Sequence, residues 1–420
     1  MLRNVIVGAV AVLCALTGAL SGCARPGDGH RPQVLRVPQQ AATIQEAVDR
    51  ARPGDMVLVA PGTYHETVRI TRPGMVLRGA DRDRVIVDGG FTLGNGIVVT
   101  APGVAVENLT VRRFKFNGVL VTGAEDRAEG GAASYERLDV DTHPPLTGFR
   151  VSYVTAYNNA LYGVYAFDAR SGVIEHTYTS GHADAGIYVG QCRDCSIVVR
   201  SNTAERNAVG YEATNVSGPL HVVGNVFRRN RVGLTTGSDP LEALAPQHGS
   251  TIMGNVIADN NERATPEQAD GGFGLGVGIG GGTGNRVENN LITGNRRAGV
   301  LVTEHEGYVP TNNRIVGNHA TGNGPSGARG SYDLVFAPTD PARATGNCLA
   351  RRPSGCAAAP RPVPVPTVPK APPGIPYSEV AAPPRRPDLP GGASAPVLPP
   401  KGEPPTVDER LMRLPADGKR

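Results

Sequence analysis

The chain has 420 residues with 55 Gly, 36 Pro, no Trp and only 19% charged side chains, a composition of many turns that excludes an all-helical protein. The formal net charge is +4, yet residues 23–352 carry 32 basic and 32 acidic side chains, so the excess lies in the first residues and the last 68. A neutral body lacks the basic face that nucleic acid demands, and no nucleic-acid partner is expected.

Arg3 is followed by an apolar run from Val5 to Leu16, too short to cross a bilayer as a helix and of the length of a signal-peptide core. It ends in Leu20-Ser21-Gly22-Cys23, which resembles a bacterial lipobox. That resemblance implies cleavage after residue 22 and acyl chains on Cys23, holding the protein at the outer face of the cell membrane in an oxidising space. The expected plan is a signal peptide over 1–22, a linker over 23–33, a repeat body over 34–352 and a Pro-rich tail over 353–420.

The body opens with Thr43-Ile44-Gln45-Glu46, a capping box. Ile44, Ala47, Val48 and Ala51 then form one apolar helical face, so a short helix is expected to cover the first exposed rung of the repeat body. A glycine followed by alternating apolar residues recurs at Gly163, Gly186, Gly210 and Gly233, in steps of 23, 24 and 23 residues, with weaker copies at Gly96, Gly118, Gly276 and Gly299. An independent Asn-x4-Asn mark pairs Asn202 with Asn207, Asn225 with Asn230, Asn255 with Asn260, Asn290 with Asn295 and Asn318 with Asn323. Short strands of period two, separated by residues that tolerate left-handed turns, cannot bury anything alone. Stacked as parallel strands about 4.8 Å apart, they bury a continuous core and align each Asn with its counterparts above and below. The expected fold is therefore all-β, a single-stranded right-handed parallel β-helix with a short N-terminal capping helix. Excursions near 123–148, 238–250, 261–273 and 304–312 read as loops on one face of the solenoid.

Four cysteines remain in the body: Cys192, Cys195, Cys348 and Cys356. The Cys192-x-x-Cys195 spacing suits a redox pair, half a zinc site or a small disulfide. Two local disulfides, Cys192 with Cys195 and Cys348 with Cys356, are favoured, because the motif follows a strand and other zinc ligands are distant. No metal site or cofactor is expected, and no motif supports calcium. After Arg352, 19 of the 36 prolines crowd into the final 68 residues. Proline removes ladder donors, so this tail is expected to stay out of the sheets as an extended, mostly disordered arm.

The segments Ile44-Gln-Glu-Ala-Val48, Pro53-Gly-Asp55 and Ala60-Pro-Gly-Thr-Tyr-His-Glu66 resemble the opening of pectin-lyase-like β-helix proteins, among them pectin methylesterases and the accessory protein NosD. The resemblance implies the fold and says nothing of catalysis, since this opening builds the cap and first coil. The methylesterase and polygalacturonase motifs are missing. Asp141-Thr142-His143-Pro144 is only loosely similar to the Asp-Pro-His of alginate-epimerase-like enzymes, departing from it at Thr142 and Pro144, and a turn containing His is the plainer reading of Asp141 and His143.

Strand alternation places Tyr165, Tyr188, Glu212 and Thr235 in one outward column, with Asp168, Gln191, Asn215 and Ser238 as a polar column at the strand ends. His182 and Asp184 lie just before Gly186. Tyr rings beside carboxylates and amides suit a sugar chain. The substrate-binding candidates are Tyr165, Asp168, Tyr188, Gln191, Glu212 and Asn215. The candidates for acid–base chemistry are Tyr188, His182, Asp184, Glu212, Asp141 and His143. The expected function is binding of an acidic or envelope polysaccharide by a monomeric, lipid-anchored protein, with lysis or epimerisation as the chemistry such groups would serve. The rival reading is a non-catalytic NosD-like accessory, scaffold or adhesion module acting on a protein partner.

Overall fold

The computed structural model describes residues 30–124, 144–267, 272–328, 330–357, 359–392 and 405–416; Cys23, Asp141 and His143 lie outside them. Residues 32–420 form one compact unit. Within it the chain winds as a parallel β-helix of three sheets. Sheet A has 12 strands, from Val34–Val37 to Cys348–Ala350; sheet B has 10, from Gly62–Tyr64 to His319–Thr321; sheet C has 10, from Val68–Ile70 to Leu334–Phe336. A coil visits them in turn, as in Ile197–Arg200, Thr203–Glu205 and Val209–Thr214. The next coil repeats this and pairs in parallel with it in all three sheets.

Side chains explain the period. In these coils the sheet B strands are three residues long, so two asparagines five positions apart fall on successive corners. Asn202, Asn225, Asn255, Asn290 and Asn318 form one buried ladder: the Asn202 oxygen accepts from the Thr177 amide, and each later carboxamide oxygen accepts from the backbone and side chain of the Asn one coil before. Asn207, Asn230, Asn260, Asn295 and Asn323 form a second, ended by Asp333. A third, at the remaining corner, runs through Gln247, Asn285, Asn313 and Asn347. Every amide dipole is thus satisfied inside an apolar stack, where an orphan would cost about 1–3 kcal/mol. The recurring glycine has a steric cause: a Cβ on Gly210 would lie 2.5 Å from the Gly233 carbonyl and 2.8 Å from Nδ2 of Asn230.

The helix Ile44–Arg50 caps the first coil, with Ile44, Ala47 and Val48 buried. Thr43 accepts from the Glu46 amide, but Glu46 reaches back to the Ala42 amide rather than that of Thr43. Glu66, from the first coil, takes the amides of Ile44 and Gln45, so a second carboxylate serves the helix start. Disulfides join Cys192 to Cys195 and Cys348 to Cys356, the latter tying the last strand to the turn after it.

Two expectations need correction. The excursions do not hang on one corner: 238–250 and 304–312 lie between sheets C and A, whereas 261–273 lies between B and C. They therefore flank sheet C on both sides. The tail stays out of the sheets, but its described parts are docked, not disordered. The Val363 amide bonds to Phe336 in the last coil, the Ile375 amide to Thr265, and the Leu389 amide to Oδ1 of Asn108; Arg78 reaches the Gly392 carbonyl. Val380 is buried against Gly181 and Asn158. Proline's missing donors are no obstacle there, because the non-proline amides donate to the solenoid and side chains such as Arg78 and Asn158 donate to tail carbonyls.

Candidate functional site

The outward column of sheet C has the expected register. Tyr165 pairs with Tyr188, Tyr188 with Glu212, Glu212 with Thr235, Thr235 with Gly278 and Gly278 with Leu301. Its two ends have different fates. Tyr165 and Tyr188 are 4% and 2% exposed, roofed with Tyr162 by the excursion carrying Ala243 and Leu244. The Tyr188 hydroxyl donates to Glu242 of that excursion at 2.9 Å. These two tyrosines are therefore not open ligand contacts, although they point outward.

The strand-end polar column is corrected more fully. Asp168, Gln191 and Asn215 are buried and adopt φ of 48°, 46° and 46°. They turn the chain out of sheet C, and two of them hold the excursion. Gln191 accepts from the Ala243 amide, Asn215 exchanges two bonds with the Asp239 backbone, and Ser238 bonds Gly281 and Gln247. His182 is also withdrawn from any groove. Fully buried, it takes the place of an Asn in the second ladder, its amide donating to Asn207 and Nε2 lying 3.1 Å from the Ala156 carbonyl. Burial lowers its pKa to about 4, so it stays neutral at pH 7 and has no proton to give. Asp184 is half-buried in the turn before Ala185–Gly190, its backbone bonded to Leu161 and Val209.

The other end of the column is open. Four strands, Val209–Thr214, Val232–Gly237, Leu275–Gly280 and Ala298–Thr303, floor a trough of about 260 Å³. Glu212, Thr235 and Leu301 stand on its floor, Arg297 and Gly272 on one edge, Asp239 and His305 on the other. Gly278 keeps the floor low, since a Cβ there would meet Leu275 at 2.9 Å. Of the residues singled out as site candidates, Glu212 alone lines this trough. Arg297 and His305 were not singled out. The available signal was their position, one at each end of the strand that begins near Gly299, beside the excursions.

Two other depressions lie elsewhere on the solenoid. One of about 1040 Å³ lies at the last coils under the tail, lined by Arg296, Arg351 and Lys370, with its carboxylate Asp333 bound to Arg351 and Asn323. One of about 330 Å³ on sheet A has its acids paired, Glu107 with Arg78 and Arg150, and Glu175 with Arg200. Among the described residues no group of three or more His, Cys, Asp or Glu side chains is placed to hold a metal ion, and no helix is long and apolar enough to cross a membrane.

Comparison with known proteins bears on the winding. Residues 95–243 match the family model of the right handed beta helix region. The fold is a right-handed parallel β-helix. Similar solved structures include the A-modules of two Azotobacter vinelandii mannuronan C-5 epimerases. AlgE4 is 16% identical with a TM-score of 0.49, over 74% of this chain and 91% of that one. AlgE6 is 15% identical with a TM-score of 0.49, over 73% and 94%. Pectate lyase Pel9A is 12% identical with a TM-score of 0.41, over 75% and 82%. No curated protein matches the sequence.

Proposed function

We propose that the β-helix binds an acidic polysaccharide in the sheet C trough. The observation that carries this reading is the grouping on one open face of a cation, Arg297, with Glu212, Asp239 and His305, above a floor of Thr235 and Leu301. The trough crosses four consecutive strands of sheet C, a stretch that several sugar units of a chain could follow. Arg297, whose Nε donates to the Pro366 carbonyl, supplies positive charge for a uronate carboxylate, and the acids and the Thr hydroxyl suit sugar hydroxyls. Glu212 and His305 are also the groups that would move a proton next to a carboxylate held by Arg297, so lysis or epimerisation is the chemistry this arrangement would serve. On this reading the partner is a glycan and the working unit a single chain.

The address comes from the start of the sequence: we propose that Cys23 carries acyl chains and tethers the protein to the outer face of the membrane. Loss of fatty-acid labelling in Cys23→Ser tests this; retained labelling refutes it.

The groove reading is tested by affinity electrophoresis in gels containing a uronate polymer or a neutral glucan. Retardation by the uronate polymer is expected, reduced about tenfold or more by Arg297→Ala and by Glu212→Gln, the order of one lost charge-assisted bond. Equal mobility of all three proteins would refute it.

A further inference from the structure

The roofed end of the outward column is built like a binding surface. Tyr162, Tyr165 and Tyr188 lie with ring centroids 4.7–5.0 Å apart. They continue rung by rung into Glu212 and Thr235 of the open trough. What separates the two ends is a cover, residues 240–246. It puts a carboxyl group, Glu242, onto this aromatic cluster, 4% exposed. Oε1 of Glu242 accepts from the Tyr188 hydroxyl, and among the described residues Oε2 has no hydrogen-bond partner. The next residues pack Ala243 and Leu244 on the rings, Leu244 with φ of 68°, a left-handed conformation unfavourable for a branched side chain. Asn215 anchors one end of the cover at Asp239 and the ladder residue Gln247 anchors the other; between them it is held by the Glu242–Tyr188 and Ala243–Gln191 bonds and carries a strained leucine.

We propose that residues 240–246 are a displaceable cover and that the Tyr162–Tyr165–Tyr188 cluster beneath is a second stretch of the same groove, a stacking platform for sugar rings that opens when Glu242 ionises. This rests on the trough being a glycan site and extends it toward the N-terminal coils. The groups facing Glu242 are Tyr188 from the strand below, Asp239 from its own excursion and the Gln191 amide, while Tyr165 and Glu212 flank Tyr188 from the neighbouring strands; none of these is a cation.

Burial, with the Asp239 charge adding to it, raises the pKa of Glu242 to about 8, against the Tyr188 hydroxyl and the nearby Gln191 side chain, which lower it. Linkage sets the sign. The closed form holds the extra proton, so closure is fully favoured below the ordinary carboxyl range near 4.5. It weakens about tenfold per pH unit up to about 8 and is flat above.

Hydroxyl-radical footprinting of the full chain between pH 5 and 9 reads both halves of this proposal. Oxidation of Tyr188 and Tyr165 should rise at least about tenfold across the range, and Glu242→Gln, neutral at every pH, should abolish the rise. Unchanged oxidation of the wild-type tyrosines would overturn the cover, whatever the variant does. A uronate hexasaccharide added at pH 9 should then shield Tyr188 as well as His305, which is exposed at the trough. Shielding of His305 alone would overturn the platform and leave the trough standing. Shielding of neither would sink the groove reading and with it the platform, while the pH series would still report on the cover.

Discussion

Two columns run through successive coils of this solenoid, one inside and one out, and they obey opposite rules. The inner one repeats a single residue type, Asn202, Asn225, Asn255, Asn290 and Asn318, because each carboxamide must serve two neighbours at once. The outer one, on sheet C, changes at nearly every rung: Leu120, Tyr165, Tyr188, Glu212, Thr235, Gly278, Leu301. Identity is imposed where the next coil is the only partner, and released where solvent or a ligand can be one. The fold is written in the first column and chemistry in the second.

The contrast is broken most forcefully from inside. Asn255 accepts from the backbone and side chain of Asn225 and donates to Val222 and Asn290. Asn255→Ala should cost about 4 kcal/mol in urea unfolding, because it strands polar groups on both adjoining coils. A loss under about 1 kcal/mol would show that the ladder is decoration. His182 sharpens the same point by being the exception in its ladder. Its depressed pKa means that the folded form binds fewer protons than the unfolded one. Stability is therefore fully present above about 6.5 and declines as pH falls to about 4, by about 3 kcal/mol. In His182→Asn this acid loss should disappear. An identical pH profile in the variant would refute the assignment.

Effects should shrink on the outer column. Tyr188→Phe removes one bond to Glu242 and should cost about 1 kcal/mol. Glu212→Gln, on the open floor, should change the unfolding free energy by less than about 0.5 kcal/mol while weakening retention by a uronate polymer. Large destabilisation by Glu212→Gln would place that side chain among the structural residues.

This division explains what was readable from the residues. The Gly and Asn periods are consequences of close contact between consecutive coils, so they survive in one dimension, and strand alternation correctly put Tyr165, Tyr188, Glu212 and Thr235 on one face. Exposure was not readable. Tyr188 is covered by Glu242, 54 residues away, and nothing in the local pattern reports a loop folding back. His182 suggests chemistry by residue type, although its place 25 residues before Asn207 marks it as a ladder member. Asp168, Gln191 and Asn215 follow strands at left-handed φ, the signature of a turn rather than of a contact surface. Arg297 and His305 belong to the site only because sheet C is flanked by excursions at two corners, a fact of three-dimensional winding.

The docked tail changes how such a rod should come apart. A plain solenoid touches only adjacent turns, so its ends fray independently of its middle. Here the chain leaves the last turn and lies back along the stack, meeting Phe336, Thr265, Asn158, Asn108 and Arg78 in succession. Like a splint, it makes distant turns share one fate. Melting should then be a single sharp event in the whole protein and a gradual unzipping once the segment beyond Arg352 is cut away.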